Sequence, residues 1–421
     1  MMGNSKHLVP LKPFLYQDFK CVHCGKNEFE AHGSVFSGIH VQGKYTCKSC
    51  GLEFHRDLPI GFSVDHPMTI TKEFKVFGDF EGWEWISEPL LKGYKNKNDH
   101  EVLIERIVHR EEKSVIILNT MDYLYGHVLL KLYNAIYYME RHPDKGLILI
   151  APKMFSWLIP KGVAEVWLVD QRLGQTQGWY TKLDQWVQEQ LKRYAQVELG
   201  KGFAHPEFYD LNIKSFSGVE PFPMEEFLIR RPHITFVSRI DRLWFSSKAV
   251  RFVYRVLSKF GLKNSLGRLW IRQQNGLMER AMARISKVLP EAQYTVVGLG
   301  KIGKFRAQVN DLRTNRMSDD IERSWCNSYA NSQVVVGIHG SNMLLPTAHS
   351  AGCVEILPDD RFGNIVQDIS VRYQDRMQLF LYRFVDEYAS PETVAKHVVS
   401  MFNDFKVYYR DNRTNIFDKQ K

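Results

Sequence analysis

Four of the six cysteines fall into two matched pairs, Cys21-Val-His-Cys24-Gly and Cys47-Lys-Ser-Cys50-Gly, with 22 residues between them. Two residues between thiols let both sulfurs face one tetrahedral metal, and the glycine after each pair permits the tight turn that aims backbone N–H groups at the sulfurs. This is the spacing of a zinc ribbon, with Cys21, Cys24, Cys47 and Cys50 as the ligands. Phe36, Ile39, Val41 and Tyr45, between the pairs, have the strand character of the ribbon's hairpin. Four thiolates close the coordination shell, so the expected zinc is structural and not catalytic. His23 and His55 are surplus to it, and Cys326 and Cys353, in apolar surroundings, read as core thiols.

A second constellation lies far along the chain. Val334-Val-Val-Gly-Ile-His339-Gly340-Ser341-Asn342 reads as a buried strand running into a glycine turn. A short helix follows, and another strand begins near Glu355, within Val354-Glu-Ile-Leu-Pro358. Gly340 and Ser341 would leave backbone N–H groups free at a helix N-terminus, where the dipole favours a phosphate or diphosphate. The plainer account is a strand–turn–helix capped by Ser341 or Asn342. The company of His339, Ser341, Asn342 and Glu355 in one place favours a binding site.

The elements that must position these residues follow from hydrophobic patterning. Short apolar runs recur at Ser114–Leu118, Leu147–Ala151, Glu165–Val169, Ile234–Val237, Tyr294–Val297, Val334–Ile338 and Val354–Leu357. Helix-like stretches alternate with them: His127–Met139, Tyr180–Val197, Ala249–Phe260, Leu277–Val288, Asp319–Tyr329 and Pro391–Phe405. Strands alternating with helices predict parallel sheets covered on both faces. Ile70–Trp85, rich in aromatics, reads as irregular strands closing onto the main body. Between about Gly200 and Pro232 the alternation breaks at four prolines, which predicts a linker or crossover between two Rossmann-like α/β halves.

Three segments together resemble glycosyltransferase family 61. The Gly-Ile-His339-Gly-Ser-Asn turn followed by Val354-Glu-Ile-Leu-Pro is similar to that family's C-terminal domain. Ile234-Thr-Phe-Val-Ser-Arg239-Ile-Asp241-Arg242 is similar to its strand ending in Ser-Arg, and Tyr125-Gly126-His127-Val-Leu-Leu to its N-terminal helix start. The resemblance spans residues 115–360 in order and implies a GT-B-like fold, with two Rossmann-like domains facing a cleft that holds a nucleotide-sugar. With the ribbon added, the expected division is 1–65 zinc ribbon, 66–225 acceptor-side domain, 226–400 nucleotide-sugar domain and 401–421 a C-terminal helix and tail.

On that resemblance, Arg239 and Arg242 would hold the donor's diphosphate through guanidinium forks. His339 with the amides of Gly340, Ser341 and Asn342 would complete the cradle in place of a metal, and Glu355 would accept from the ribose hydroxyls. The plainer accounts are solvated arginines at a strand end and a charge at a strand start. An inverting transfer needs a base to deprotonate the acceptor hydroxyl. His127 is preferred as base or acceptor-positioning residue, with Asp122 and Asp241 as second choices, against a capping Asp and a helix-start His. Gly298-Leu-Gly300-Lys301-Ile-Gly303 satisfies the dinucleotide fingerprint, but the short polar segment after it argues against nicotinamide. Its better use is a glycine loop lining the cleft, with Lys301 beside a phosphate. Asp319-Asp320 and Asp359-Asp360 are explained by a helix cap and a turn.

Composition bounds the rest. Hydrophobic residues make up 44% and charged residues 24% of 421, which excludes a disordered or fibrous chain. No stretch approaches a membrane span and no secretory signal is visible, so the expected location is cytoplasmic. The excess of 56 Lys and Arg over 47 Asp and Glu favours anionic partners and admits a peripheral membrane contact. The function expected is nucleotide-sugar-dependent glycosyl transfer, metal-independent in catalysis, to a glycan or glycoconjugate acceptor. A zinc-ribbon nucleic-acid-binding protein and an inactive transferase-fold scaffold are the alternatives.

Overall fold

Runs of four to six apolar, largely β-branched residues suit single passes through a sheet buried on both faces, and they occupy the centres of two sheets. The computed structural model describes residues 6–78, 84–206, 211–260, 263–305, 308–365, 367, 369–370 and 376–413. The chain forms a mixed α/β protein of two units, Met1–Glu207 and Phe208–Lys421.

The first unit holds β1 (Leu8–Lys12), β2 (Phe29–Phe36), β3 (Val41–Cys47), β4 (Glu53–Asp57), β5 (Thr69–Thr71), β6 (Val76–Phe77), β7 (Ile104–Val108), β8 (Ser114–Asn119), β9 (Gly146–Pro152), β10 (Glu165–Val169) and β11 (Gln196–Gly200). Its main sheet runs β1-β11-β8-β9-β10-β7, with parallel pairing from β11 to β10 and antiparallel strands at both edges. Among the parallel strands the first, β8, lies between the second and the fourth. The winding therefore reverses between β8 and β11, which opens a crevice beyond their carboxyl ends. A second sheet, β2-β3-β4-β5-β6, is antiparallel and carries the cysteine pairs at one end.

The second unit holds β12 (His233–Ser238), β13 (Gln293–Gly298), β14 (Val309–Asp311), β15 (Val334–Ile338), β16 (Gly352–Leu357) and β17 (Tyr382–Asp386). All pairings are parallel, in the order β14-β13-β12-β15-β16-β17. Numbered within the unit this is 3-2-1-4-5-6, the doubly wound order, with its switch point between β12 and β15. Phe236, Val296, Val336 and Val354 are buried at the sheet's centre, under the long helices Lys263–Ser286 and Pro391–Arg413.

Several expected elements change on folding. The stretch Tyr180–Val197, expected as one helix, is a helix only over Thr181–Leu191; Gln196–Gly200 then becomes β11. Pairing with β8 and β1 and burial of Val197 and Leu199 outweigh the helical spacing that attaches Val197 to the preceding turn. Ile70–Trp85 gives two short strands and then the start of the helix Glu84–Lys95; 79–83 lie outside the described residues. The proline-rich interval is no free linker in the part described: Phe222, Met224 and Phe227 pack into the second unit's core. Within 1–65, β1 joins the main sheet, and Phe36, Val41, Leu58 and Ile60 share that sheet's core. The helix expected to end the chain reaches Arg413, and 414–421 lie outside the described residues.

The first unit also encloses a polar knot that the sequence does not announce. Glu165, 2% exposed, accepts from Arg106 Nε at 2.6 Å, Arg193 Nη2 at 2.7 Å, Trp167 Nε1 at 2.6 Å and Tyr194 OH at 2.9 Å. Burial raises its carboxyl's pKa, but the donors, led by Arg193 and Arg106, outweigh that and hold it at about 2. Glu165→Gln is expected to cost about 2 kcal/mol in urea unfolding at neutral pH. The 3–5 kcal/mol of a broken buried pair is discounted because both arginines are partly exposed. A carboxylate whose folded pKa is depressed stabilises above its usual value and loses that contribution as pH falls toward about 2. The gap between wild type and variant should therefore narrow steadily below about pH 4.5.

Candidate functional site

The two cysteine pairs are built alike. Gly25 and Gly51 adopt φ of +73° and +72°, and their N–H groups donate to Cys21 O at 2.9 Å and Cys47 O at 2.8 Å. Only glycine enters that left-handed turn at no cost. The sulfurs close on one another, Cys21 to Cys50 at 3.7 Å and Cys24 to Cys47 at 3.6 Å, and all four lie within 4.8 Å. A tetrahedral zinc with Zn–S bonds of about 2.3 Å sets sulfurs about 3.8 Å apart, so the four thiols fit a metal such as zinc. Backbone N–H groups of Cys50 and Ser49 face the Cys47 sulfur and favour its thiolate against the effect of burial.

In the second unit, the carboxyl ends of β12 and β15 bring most of the expected anion-binding residues together. Arg239 and Arg242 leave β12, while His339, Gly340, Ser341 and Asn342 leave β15. Arg242 Nη1 donates to His339 O at 2.6 Å, and Arg239 Nη1 to Asn342 Oδ1. Arg239 also donates through Nε and Nη2 to Asp241, at 3.0 and 2.5 Å. Burial first, then the neighbouring Arg239 and Arg361, lower the pKa of Arg242, with Asp241 and Asp360 acting oppositely. Cations pressed together in this way define a region of positive potential. One donor there is unspent: Asn342 Nδ2 is buried without a hydrogen-bond partner among the described residues, while Arg361 Nε, also without a hydrogen bond, lies 3.7 Å from Asp360 Oδ2 as an ion pair. A cavity of about 170 Å³ opens at Arg242, lined also by Asp241, Arg251, Ile338, Asp360 and Glu387 among others.

Gly340 shapes this site. Its φ is +146°, and a Cβ there would lie 2.4 Å from Arg239 Nη1 and 2.9 Å from Arg242 Nη1. Gly340→Ala must therefore push both guanidinium groups aside, and the strained backbone adds about 1–3 kcal/mol. The variant is expected to fold, with a modest drop in Tm, and to lose at least about tenfold in affinity for a phosphate-bearing ligand, read by titration calorimetry.

Three expected roles are placed differently. His339 is fully buried, its Nδ1 at 2.5 Å from Glu355 Oε2 and its Nε2 at 3.2 Å from Asn364 O. Glu355 lies in the middle of β16 and is equally buried, so its contact is with the imidazole, and the pair fixes the turn. The helix after the turn, Leu344–His349, has only six residues, so the guanidinium pair, more than a helix dipole, supplies the positive field. Asp241 is committed to Arg239, which, against its burial, holds the carboxyl below the usual range and makes it a poor base.

The glycine loop lies beside the same strand end. Gly298, at φ +119°, approaches so closely that a Cβ would meet Ser238 O at 2.0 Å, and Gly300 abuts Ile240. Among the described residues no helix separates this loop from β14, unlike a dinucleotide-binding turn. Lys301 is exposed on it. Sequence reasoning missed the two residues that hold these loops: Gln274, which bonds Ser238 Oγ, Arg239 O and Trp244 N, and Arg313, which bonds Ile302 O and Gly303 O. Neither lies in an element that the patterning predicts, so no signal in the sequence marks them. Asp319 and Asp320 open a helix capped by Ser318, Asp359 and Asp360 open a short turn of helix after Pro358, and Cys326 and Cys353 are buried.

The first unit gathers a different chemistry at its own switch point. Asp122, beyond β8, is fully buried; its Oδ2 is 2.8 Å from Lys131 Nζ and its Oδ1 3.4 Å from His127 Nδ1. His127 and Lys131 are four apart on the helix Tyr125–Arg141 and so share a face. Burial raises the pKa of Asp122, but Lys131 and His127 win and hold the carboxyl well below the usual range. From the segment after β11 comes His205, whose ring is 5.3 Å from that of His127 and edge-on to it. Burial, then His127, push His205 down to about 4. Phe62, 5.0 Å away, and Trp85, 6.3 Å away, wall the His127 ring, whose side chain keeps 16% exposure. Lys131 and His205 had no motif to announce them.

No family model matches the chain, and no curated protein matches it. Among solved structures, the chain is similar to one from a crystal structure of the GtfA/B complex, with 9% identity and a TM-score of 0.23. The match covers 87% of this chain and 60% of that one, so this chain spans less than two thirds of its neighbour's length. A score that low carries no argument about function. Among the described residues no helix is long and apolar enough to cross a membrane.

Proposed function

We propose that this protein is a nucleotide-sugar-dependent glycosyltransferase of GT-B type, similar to family 61, inverting and metal-independent in catalysis, with a structural zinc ribbon. The observation that carries the reading is the convergence of Arg239, Arg242, Gly340 and Asn342 at the doubly wound switch point, with an unspent donor on Asn342 and a cavity lined in part by Arg242. A nucleoside diphosphate supplies negative charge to the two guanidinium groups and an acceptor oxygen to Asn342 Nδ2.

In the reaction, an acceptor hydroxyl attacks the anomeric carbon of the donor sugar. The bond from that carbon to the diphosphate oxygen breaks, its electron pair leaves with the nucleoside diphosphate, and the hydroxyl proton passes to His127 Nε2. Arg239 and Arg242 stabilise the charge that develops on the leaving group, the task a metal performs in other transferases. Asp122, ion-paired at 3.4 Å to His127 Nδ1 and at 2.8 Å to Lys131 Nζ, favours a proton on the imidazole, the ordering logic of an Asp–His pair. The acceptor is a glycan or glycoconjugate. The four-cysteine metal braces the ribbon and takes no part in the chemistry.

A thermal-shift panel with UDP, GDP, CMP and ADP, their sugar conjugates and NAD tests this. One diphosphate nucleotide at 100 times its Kd should stabilise by about 2.7 kcal/mol, and Arg239→Ala should abolish the shift. A shift with NAD alone, or none with any nucleotide, overturns the reading.

A further inference from the structure

From Arg242 to Met278 the chain carries eight lysines and arginines and not one aspartate or glutamate. Most of this stretch lies in two consecutive helices, Lys248–Lys259 and Lys263–Ser286. The first helix has two unlike faces. On the inner one, Val250 and Tyr254 pack with Leu243, Phe245 and Ile271, and Arg251 pairs with Glu387. Those contacts account for the inner face fully.

The outer face has no such account. Phe252 is 67% exposed, Val253 47% and, just past the helix end, Phe260 76%. Leu269, on the next helix, is 55% exposed. At about 100° per residue, Ala249, Val253 and Phe260 form one band along the helix, with Phe252 at its edge. Lys248 and Lys259, both exposed, run beside it on the other side of Phe252, and exposed Arg268 stands next to Leu269. Scattered apolar residues on a surface need no explanation, but an aligned band beside a cationic band does.

We infer that this face, Lys248, Phe252, Val253, Lys259 and Phe260, docks on the surface of an anionic lipid bilayer. The inference stands apart from the transferase reading. Its ground is charge complementarity together with side-chain type. In a stretch with no carboxylate of its own, the exposed cations Lys248 and Lys259 are attracted to a negatively charged leaflet, and the apolar side chains beside them enter the boundary between headgroups and acyl chains. A nucleic acid would answer to the cations and to the two phenylalanines, on which bases stack. It gives no use for exposed Val253, which offers no ring to stack on.

The test is co-sedimentation of the full chain with vesicles of phosphatidylcholine and with vesicles of phosphatidylcholine and phosphatidylglycerol in equal parts. Binding to the anionic vesicles alone, weakening as salt rises, is expected. Phe252→Ser and Phe260→Ser should each lower the partition coefficient about tenfold, and Lys248→Gln and Lys259→Gln about fivefold each. Phe252, Lys259 and Phe260 are exposed and Lys248 makes only a contact 5.9 Å over the Tyr388 ring, so Tm should hold, and an unchanged Tm certifies that a loss of binding is local. Absent binding, equal binding to both vesicle types, or variants that bind like wild type would each overturn the inference. So would a single-stranded oligonucleotide that binds through the same residues and displaces the protein from the vesicles.

Discussion

Stripping the metal from the four thiols is expected to unravel the outer end of the first unit's five-stranded sheet. The core there is small: Phe29, Tyr45 and Phe54 with Cys21 and Cys47, and Phe19 stacked on Phe29 at 4.4 Å. A cluster of that size cannot offset the ordering entropy of some thirty residues at about 1–2 kcal/mol each. Structural zinc in isolated fingers contributes about 10–16 kcal/mol, which sets the scale of the missing term. The inner end should survive, because Phe36 and Val41 belong to the core of the main sheet. Metal analysis of the purified protein should give one zinc per chain. Chelation, or Cys47→Ser, should then abolish hydrogen-exchange protection at the cysteine end, around Phe29 of β2, Tyr45 of β3 and Phe54 of β4, while Phe36, Val41, β8 and β9 stay protected. Full protection in metal-free protein would mean that the thiols are a packing feature alone.

The sequence is most legible where one physical demand acts alone. Glu165–Val169 and Val334–Ile338 are expected and observed over the same residues, because a strand buried on both faces needs an unbroken apolar run. The cysteine pairs are legible because a metal fixes spacing. Legibility fails at strands that owe their existence to neighbours. Gln196–Gly200 alternates as a strand does, but it is short and no glycine or proline divides it from the helix before it, so pairing with β8 and β1 decides its form. Tyr382–Asp386, at the sheet's edge, is hidden for the same reason.

The sites divide similarly. Arg239 and Gly340 stand in motifs, and strand order explains why residues a hundred positions apart meet: both leave strands flanking one reversal of winding. Lys131 and His205 stand in no motif, because their roles come from burial around Asp122, and burial is a property of the fold. Glu355 shows the converse. Its motif marks it for a ligand, yet in the fold its partner is His339.

His127→Ala is expected to lower the rate of glycosyl transfer by about 10²–10⁴ while leaving the nucleotide-induced thermal shift unchanged. The argument rests on which neighbour can take a proton. Asp122 is fully buried and its carboxyl is held well below the usual range, so it is a weak base. His205, pushed down to about 4, is neutral at pH 7 and therefore does not oppose a proton arriving on the ring 5.3 Å away. His127 alone in the cluster combines a carboxylate behind Nδ1 with a partly exposed side chain. Asp122→Asn should act differently, because it strands the Lys131 ammonium in the interior. Breaking a buried pair costs about 3–5 kcal/mol, so that variant should lose both Tm and rate. His127→Ala should lose rate with little change in Tm. The separation distinguishes a base from a packing residue: if His127→Ala melts early and its surviving fraction transfers normally, the cluster is structural and the base lies elsewhere.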